Sequence, residues 1–169
     1  VSEYDALIRP QPPNPDGPGG KPASDSKSFS SPEEAHRYGY EKYEAWANTL
    51  SKDEYNAVGR YINDTYRPIN DGLRKSGGTP PPGYEDAVKH IDTALDRAVT
   101  PEALTVFRGL GSGVIDKLRP GGVFTDPGYT STSLAKDAAE NYGADVTMEI
   151  RVPKGARGAY AQTLFKNPN

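Results

Sequence analysis

Two short segments carry residues that could do chemistry. Arg108 and Gly109 close an apolar run in Val106-Phe107-Arg108-Gly109, and three hydroxyls stand in a row at Ser131-Thr132-Ser133. A guanidinium can fork two oxygens of a phosphate, and glycine lets a ligand approach the backbone closely. An arginine at a sheet edge equally suits an ion pair with a nearby carboxylate, and strand hydroxyls equally suit a solvated face. Neither segment decides alone. Other chemistries are excluded: the chain has no cysteine, so thiolate metal sites, disulfides and a cysteine nucleophile are absent. His36 and His90 lie far apart in helix-like segments, which argues against a two-histidine metal site or a serine–histidine triad.

The elements that must position these residues come in two blocks. Ser31-Pro32-Glu33-Glu34 reads as an N-cap, a first-turn proline and a capping carboxylate, opening a helix to about Asn48. Ser51-Lys52-Asp53-Glu54 is a second capping box; its helix runs to about Tyr66, where Pro68 is expected to break it. A short helix from Ile69 to Lys75 stops at Gly77-Gly78, and a long one covers about Tyr84 to Val99 with Val88, Ile91, Leu95 and Ala98 inward. After Pro101 the pattern turns to strands: LTVFRGL, GGVFTD, YTSTSL, DVTMEIRVP and RGAYAQ, with a helix at AKDAAENYG. Helices followed by strands predict an α+β fold with an antiparallel or mixed sheet.

The 169 residues suit one domain plus a tail. Residues 1–30 read as a linker or disordered tail, because residues 10–31 are rich in Pro, Gly and Ser. Residues 31–169 read as the domain, helical over 31–99 and strand-rich over 100–169. The net charge of −3, evenly mixed, lacks the basic footprint of a nucleic-acid binder. No apolar run approaches the roughly 20 residues of a membrane span, and no signal peptide opens the chain. The opening valine and the linker suggest a piece of something longer.

Taken in order, the aromatic-Arg-Gly strand end, the aromatic-x-Ser-Thr-Ser strand and the apolar strand leading to VPKGARGAY resemble the arginine–serine–glutamate class of mono-ADP-ribosyltransferases. The likeness is to the toxin group of actin-modifying binary toxins and clostridial Rho-modifying exoenzymes. The helical stretch WANTLSKDEYNAVGRYINDTYRPINDGLRK is similar to that group's lead-in, and the resemblance covers about residues 31–169.

The resemblance implies a β-sandwich core and NAD as substrate, with no metal. Arg108 would grip an NAD phosphate, and Gly109 would hold the nicotinamide carboxamide. Ser131 would order the site around the nicotinamide ribose, supported by Thr132 and Ser133. Tyr142 would stack on nicotinamide. Tyr160 and Phe165 would belong to the loop that meets the protein substrate. Arg108 and Ser131 are the expected catalytic positions present. Gly128 stands where some members carry asparagine, and the second phosphate-binding arginine is absent after Tyr142, leaving Arg151 or Arg74 to supply it.

The family's Glu-x-Glu, about ten residues past the GAY tyrosine, would fall beyond Asn169. The strand that follows it would be missing too, leaving an open sheet edge. Glu149 lies on an earlier strand and is no substitute. The expected function is therefore ADP-ribose transfer from NAD to a protein side chain, arginine by preference, with this chain alone inactive for want of its carboxylates. A non-catalytic NAD- or partner-binding remnant and an NAD glycohydrolase are the alternatives. Expected partners are NAD, a target protein and, in a larger secreted or delivered toxin, a complementing C-terminal segment, an immunity protein or a delivery domain.

Overall fold

The structure, a computed structural model, describes residues 6–8, 25–141 and 144–165. Its helices start where their caps require. The Ser31 hydroxyl accepts from the Glu34 N–H at 3.2 Å and opens α1 (Pro32–Asn48). Ser51 and Glu54 form a complete capping box at the start of α2 (Lys52–Arg60). The expected break at Pro68 does not occur. A single π turn, Tyr61–Thr65, joins α2 directly to α3 (Tyr66–Ser76). Pro68 falls in the first turn of α3, just past the π turn, and the helix runs on through it. Gly77, at φ 75°, ends the rod in the left-handed conformation that glycine permits.

α4 (Glu85–Asp96) packs against α2 and buries Val88, Ile91, Ala94 and Leu95. Trp46 of α1 fixes the pair by donating its indole N–H to the Ala94 carbonyl at 2.8 Å. Gly39 of α1 lies against the Tyr160 ring so closely that a Cβ there would stand 2.4 Å from it.

Two antiparallel sheets follow. β2 (Leu104–Leu110) pairs along its whole length with β4 (Val146–Val152), setting Arg108 opposite Met148. The second sheet has the order β3-β1-β5, from β1 (Ala6–Ile8), β3 (Thr130–Thr132) and β5 (Gly158–Tyr160). A Phe107–Ser133 bridge ties the two sheets together beside Arg108. Short helices α5 (Ser112–Ile115) and α6 (Lys136–Glu140) complete the regular elements; α6 lies within the segment expected to be helical, and α5 was not foreseen. The α+β class holds.

Three expectations change. GGVFTD is not a strand: residues 121–125 are irregular, with Val123 78% and Phe124 51% exposed. RGAYAQ is a strand only through Tyr160, after which residues Ala161–Phe165 form a 3₁₀ turn. Most consequentially, Ala6–Ile8, read from composition as part of the tail, is the central strand of the β3-β1-β5 sheet. Leu7 there is 2% exposed and pairs with Ser131 on one side and Ala159 on the other. Lys27 likewise leaves the linker to bridge Leu104. Three apolar residues from the chain's other end thus lie between the Ser131 strand and the Tyr160 strand.

Candidate active site

A cavity of about 350 Å³ opens between the α2–α3 rod and the two sheets. The sheets contribute Ala6 and Leu7 from β1, Arg108 and Gly109 from β2, and Ser131 from β3. The rod contributes Tyr61, Ile62 and Asn63 of the π turn, then Tyr66, Arg67, Asn70, Asp71 and Arg74. The π turn is therefore part of the wall, a position where such irregularities often serve a site. Three arginines against one aspartate make the wall cationic, and this donor set fits a diphosphate anion.

Arg108 and Ser131 meet directly: Arg108 Nη1 donates to the Ser131 carbonyl at 2.7 Å. The Ser131 side chain hydrogen-bonds the Tyr61 phenol. That phenol also accepts from Asn70 Nδ2 at 2.8 Å, and Asn70 Oδ1 in turn accepts from the Tyr129 N–H at 2.9 Å. Burial pushes the Tyr61 hydroxyl above its ordinary range, while its hydrogen bonds and the nearby Arg74 and Arg108 guanidinium groups pull the other way. Tyr61 therefore stays a neutral phenol and joins the rod to the hydroxyl strand.

Arg74 forks Asp126, with Nε to Oδ1 and Nη2 to Oδ2 both 2.8 Å. Burial pushes the Asp126 carboxyl up. The Arg74 guanidinium and the Gly128 N–H outweigh that and hold it below the usual aspartate range. Gly128 is tight as well: a Cβ there would stand 3.0 Å from Asn70 Oδ1 and 3.3 Å from Arg74 Nε. That contact explains why a glycine, not a larger residue, precedes Tyr129.

Of the residues singled out in the sequence, Arg108, Gly109 and Ser131 converge on the cavity. Thr132 and Ser133 are both 0% exposed and lie outside its wall. Thr132 Oγ1 donates to the Ala6 carbonyl at 3.4 Å, and Ser133 Oγ accepts from the Ala135 N–H at 3.1 Å. Their hydroxyls serve the strand and cannot touch a ligand in the cavity. Tyr142 lies outside the described residues. Tyr160 is 1% exposed, hydrogen-bonded to His36 and packed edge-on against Tyr40. It anchors the sheet to α1 and presents no surface to a protein substrate, whereas Phe165, at the end of the 3₁₀ turn, is 40% exposed. Arg74 is in the cavity wall, and Arg151 is not: it lies on β4 opposite Thr105, 4.0 Å from Glu149. Tyr61 and Asn70 escaped the sequence reading, although Asn70 stands one helical turn from Arg74, a spacing that puts both on one face.

Residues 35–169 match the family model described as ADP-ribosyltransferase exoenzyme. The chain belongs to that family. Among relatives of this exoenzyme domain, the epidermal cell differentiation inhibitor of Staphylococcus aureus is 25% identical over 82% of this chain and 68% of its own length. The mono-ADP-ribosyltransferase C3 of Hathewaya limosa is 28% identical over 83% of this chain, which spans about half of that protein (52%). C3stau2 of S. aureus, solved with NAD, shares the fold: its TM-score is 0.66 at 21% identity, over 81% of this chain and 78% of the solved chain.

Proposed function

We propose that this chain is an NAD-dependent mono-ADP-ribosyltransferase that modifies a protein side chain. The observation that carries the reading is the convergence of Arg108, Gly109 and Ser131, from two strands, on one cavity whose helical wall adds Arg67 and Arg74. In this reading the diphosphate of NAD lies among the arginines, with Arg74 supplying the second phosphate contact. Gly109 admits the nicotinamide amide to the backbone, and Ser131 orders the nicotinamide ribose. Cleaving the nicotinamide–ribose bond develops positive charge on the ribose, so orientation and electrostatics do most of the work. Nicotinamide leaves neutral and needs no proton. Phe165, exposed beside the site's sheet, belongs to the surface that meets the target. The acceptor is a guanidinium by preference, and the setting is a toxin acting outside the cell that makes it.

Titration with NAD by calorimetry, paired with transfer of labelled ADP-ribose to a cell lysate, tests this. Saturable NAD binding that Arg108→Ala abolishes is the expected result. Absence of NAD binding by the unaltered chain would reject it.

A further inference from the structure

Tyr129, two residues before Ser131, is fastened at both ends. Its side chain is buried, and its phenol donates to Asp92 Oδ1 at 2.6 Å, the length of a hydroxyl–carboxylate bond. The Val88 carbonyl stands 3.3 Å from the same oxygen as a second acceptor. Val88 and Asp92 lie one turn apart on α4, so a single face of that helix holds the phenol. At the other end, the Tyr129 N–H donates to Asn70 Oδ1 of α3 at 2.9 Å. Tyr129 therefore spans the interior from α4 to α3.

The direction of these bonds is fixed. A backbone N–H can only donate, so the Asn70 carbonyl must face Tyr129 and its amide nitrogen must face away. On that far side Nδ2 donates to the Tyr61 phenol at 2.8 Å, and the Tyr61 phenol bonds the Ser131 side chain. The Tyr129 ring also meets the Tyr61 ring edge-on, with centroids 5.3 Å apart. A displaced Tyr129 would thus disturb the cavity by two routes, through its N–H to Asn70 and through its ring to Tyr61. Asn70, Tyr61 and Ser131 are cavity wall, and Asp92, half-buried on α4, is not. The transferase reading gives Asp92 no part, yet it holds the outer end of the residue on which this part of the wall leans.

We propose that Asp92 is a positioning residue for the NAD site: by holding the Tyr129 phenol it keeps the Tyr129 N–H on Asn70 and the Tyr129 ring on Tyr61, and so keeps the helical wall aligned with Ser131. The inference rests on the transferase reading for its ligand. Its sign separates it from a simple effect of charge. By charge alone, deleting an acid favours an anionic dinucleotide, because the surroundings become more cationic. Positioning has the opposite consequence, and deleting Asp92 weakens binding. The site requires an acceptor at Oδ1 and not a charge, so asparagine can stand in for Asp92.

The experiment measures the NAD affinity of the 1–169 chain by calorimetry, at a temperature where circular dichroism shows every variant folded, so that lost stability alone does not enter Kd. Asp92→Ala weakens NAD binding by roughly tenfold. Asp92→Asn, which keeps the acceptor, restores affinity to within about threefold of the unaltered chain. Tyr129→Phe weakens binding as Asp92→Ala does, and the double variant binds no more weakly than either alone, as befits the two ends of one bond. Asp96→Ala removes another acid of α4, one paired with Arg157 at 2.8 Å, and leaves affinity within about twofold. The proposal is overturned if Asp92→Ala binds NAD as well as the unaltered chain or better, if Asp92→Asn binds as weakly as Asp92→Ala, if the losses add in the double variant, or if Asp96→Ala loses as much. Failure of the unaltered chain to bind NAD rejects instead the transferase reading on which the proposal rests.

Discussion

The Arg108 guanidinium reaches across to Ser131 and donates to its main-chain carbonyl at 2.7 Å. One corner of a planar five-donor fork is thereby used to fix the plane of the whole group. Lysine has the charge but not the fork, so Arg108→Lys should weaken NAD binding by roughly ten- to a hundredfold, at about 1.4 kcal/mol for each factor of ten. Calorimetry checks this, and an unchanged thermal midpoint separates lost recognition from lost folding.

Gly39→Ala should behave opposite to helix propensity. Alanine in a helix interior ordinarily gains about 1 kcal/mol over glycine. Here its Cβ would stand 2.4 Å from the ring of Tyr160, which is 1% exposed and hydrogen-bonded to His36. The ring has no room to yield, and overpacking of this kind costs about 1–3 kcal/mol. A lowered urea midpoint with an unchanged slope is the expected result.

Tyr61→Phe removes the oxygen that accepts from Asn70 and bonds Ser131. It leaves the Asn70 amide, 7% exposed, with a donor unpaired, at a cost of about 1–3 kcal/mol. Because Asn70 also holds the Tyr129 N–H, NAD affinity should fall along with stability. Chemical denaturation and calorimetry on the same variant read the two effects.

Asp126 gives a pH signature. Its carboxyl is held below the usual aspartate range in the folded chain, despite burial, by Arg74 and the Gly128 N–H. A lowered folded value means the unfolded chain binds the proton more readily. The contribution is therefore complete above the unfolded aspartate value of about 3.9 and is lost as pH falls through the lower folded value. Asp126→Asn should lower the thermal midpoint at neutral pH, with the gap to the unaltered protein closing as pH drops below about 4. A gap that is constant with pH would show the pair contributes nothing by charge.

Local signals carried much of this fold in the sequence. Ser31, Ser51 and Gly77 placed helix ends because capping depends on neighbours within four residues. The apolar runs around Arg108 and Ile150 placed β2 and β4. What stayed illegible depends on distant partners. Ala6-Leu7-Ile8 is too short to announce itself as a strand, and only the pairing with Ser131 and Ala159 makes it one. GGVFTD has strand-like residues but no strand beside it among the described residues. In the site, Arg108 and Ser131 were visible by residue type. Tyr61 and Asn70 were not, because a tyrosine and an asparagine on a helix look like any others until the sheet is packed against them. Tyr160 was read as a surface loop residue because nothing local shows that α1 covers it.

The register that sets Ala6 beside Tyr160 and Ile8 beside Gly158 also makes neighbours of the chain's first and last described strands. Sheets recognise partners and not the order in which a ribosome delivers them, so the architecture is nearly a closed ring with an arbitrary seam. A rotated polypeptide that begins at Ser31 and carries residues 1–10 on a short flexible joint after Asn169 should lay the same strand between the same two neighbours. Its seam would then lie in the Pro/Gly stretch. Recovery of NAD binding by such a permutant would show that this fold tolerates its central strand arriving first or last.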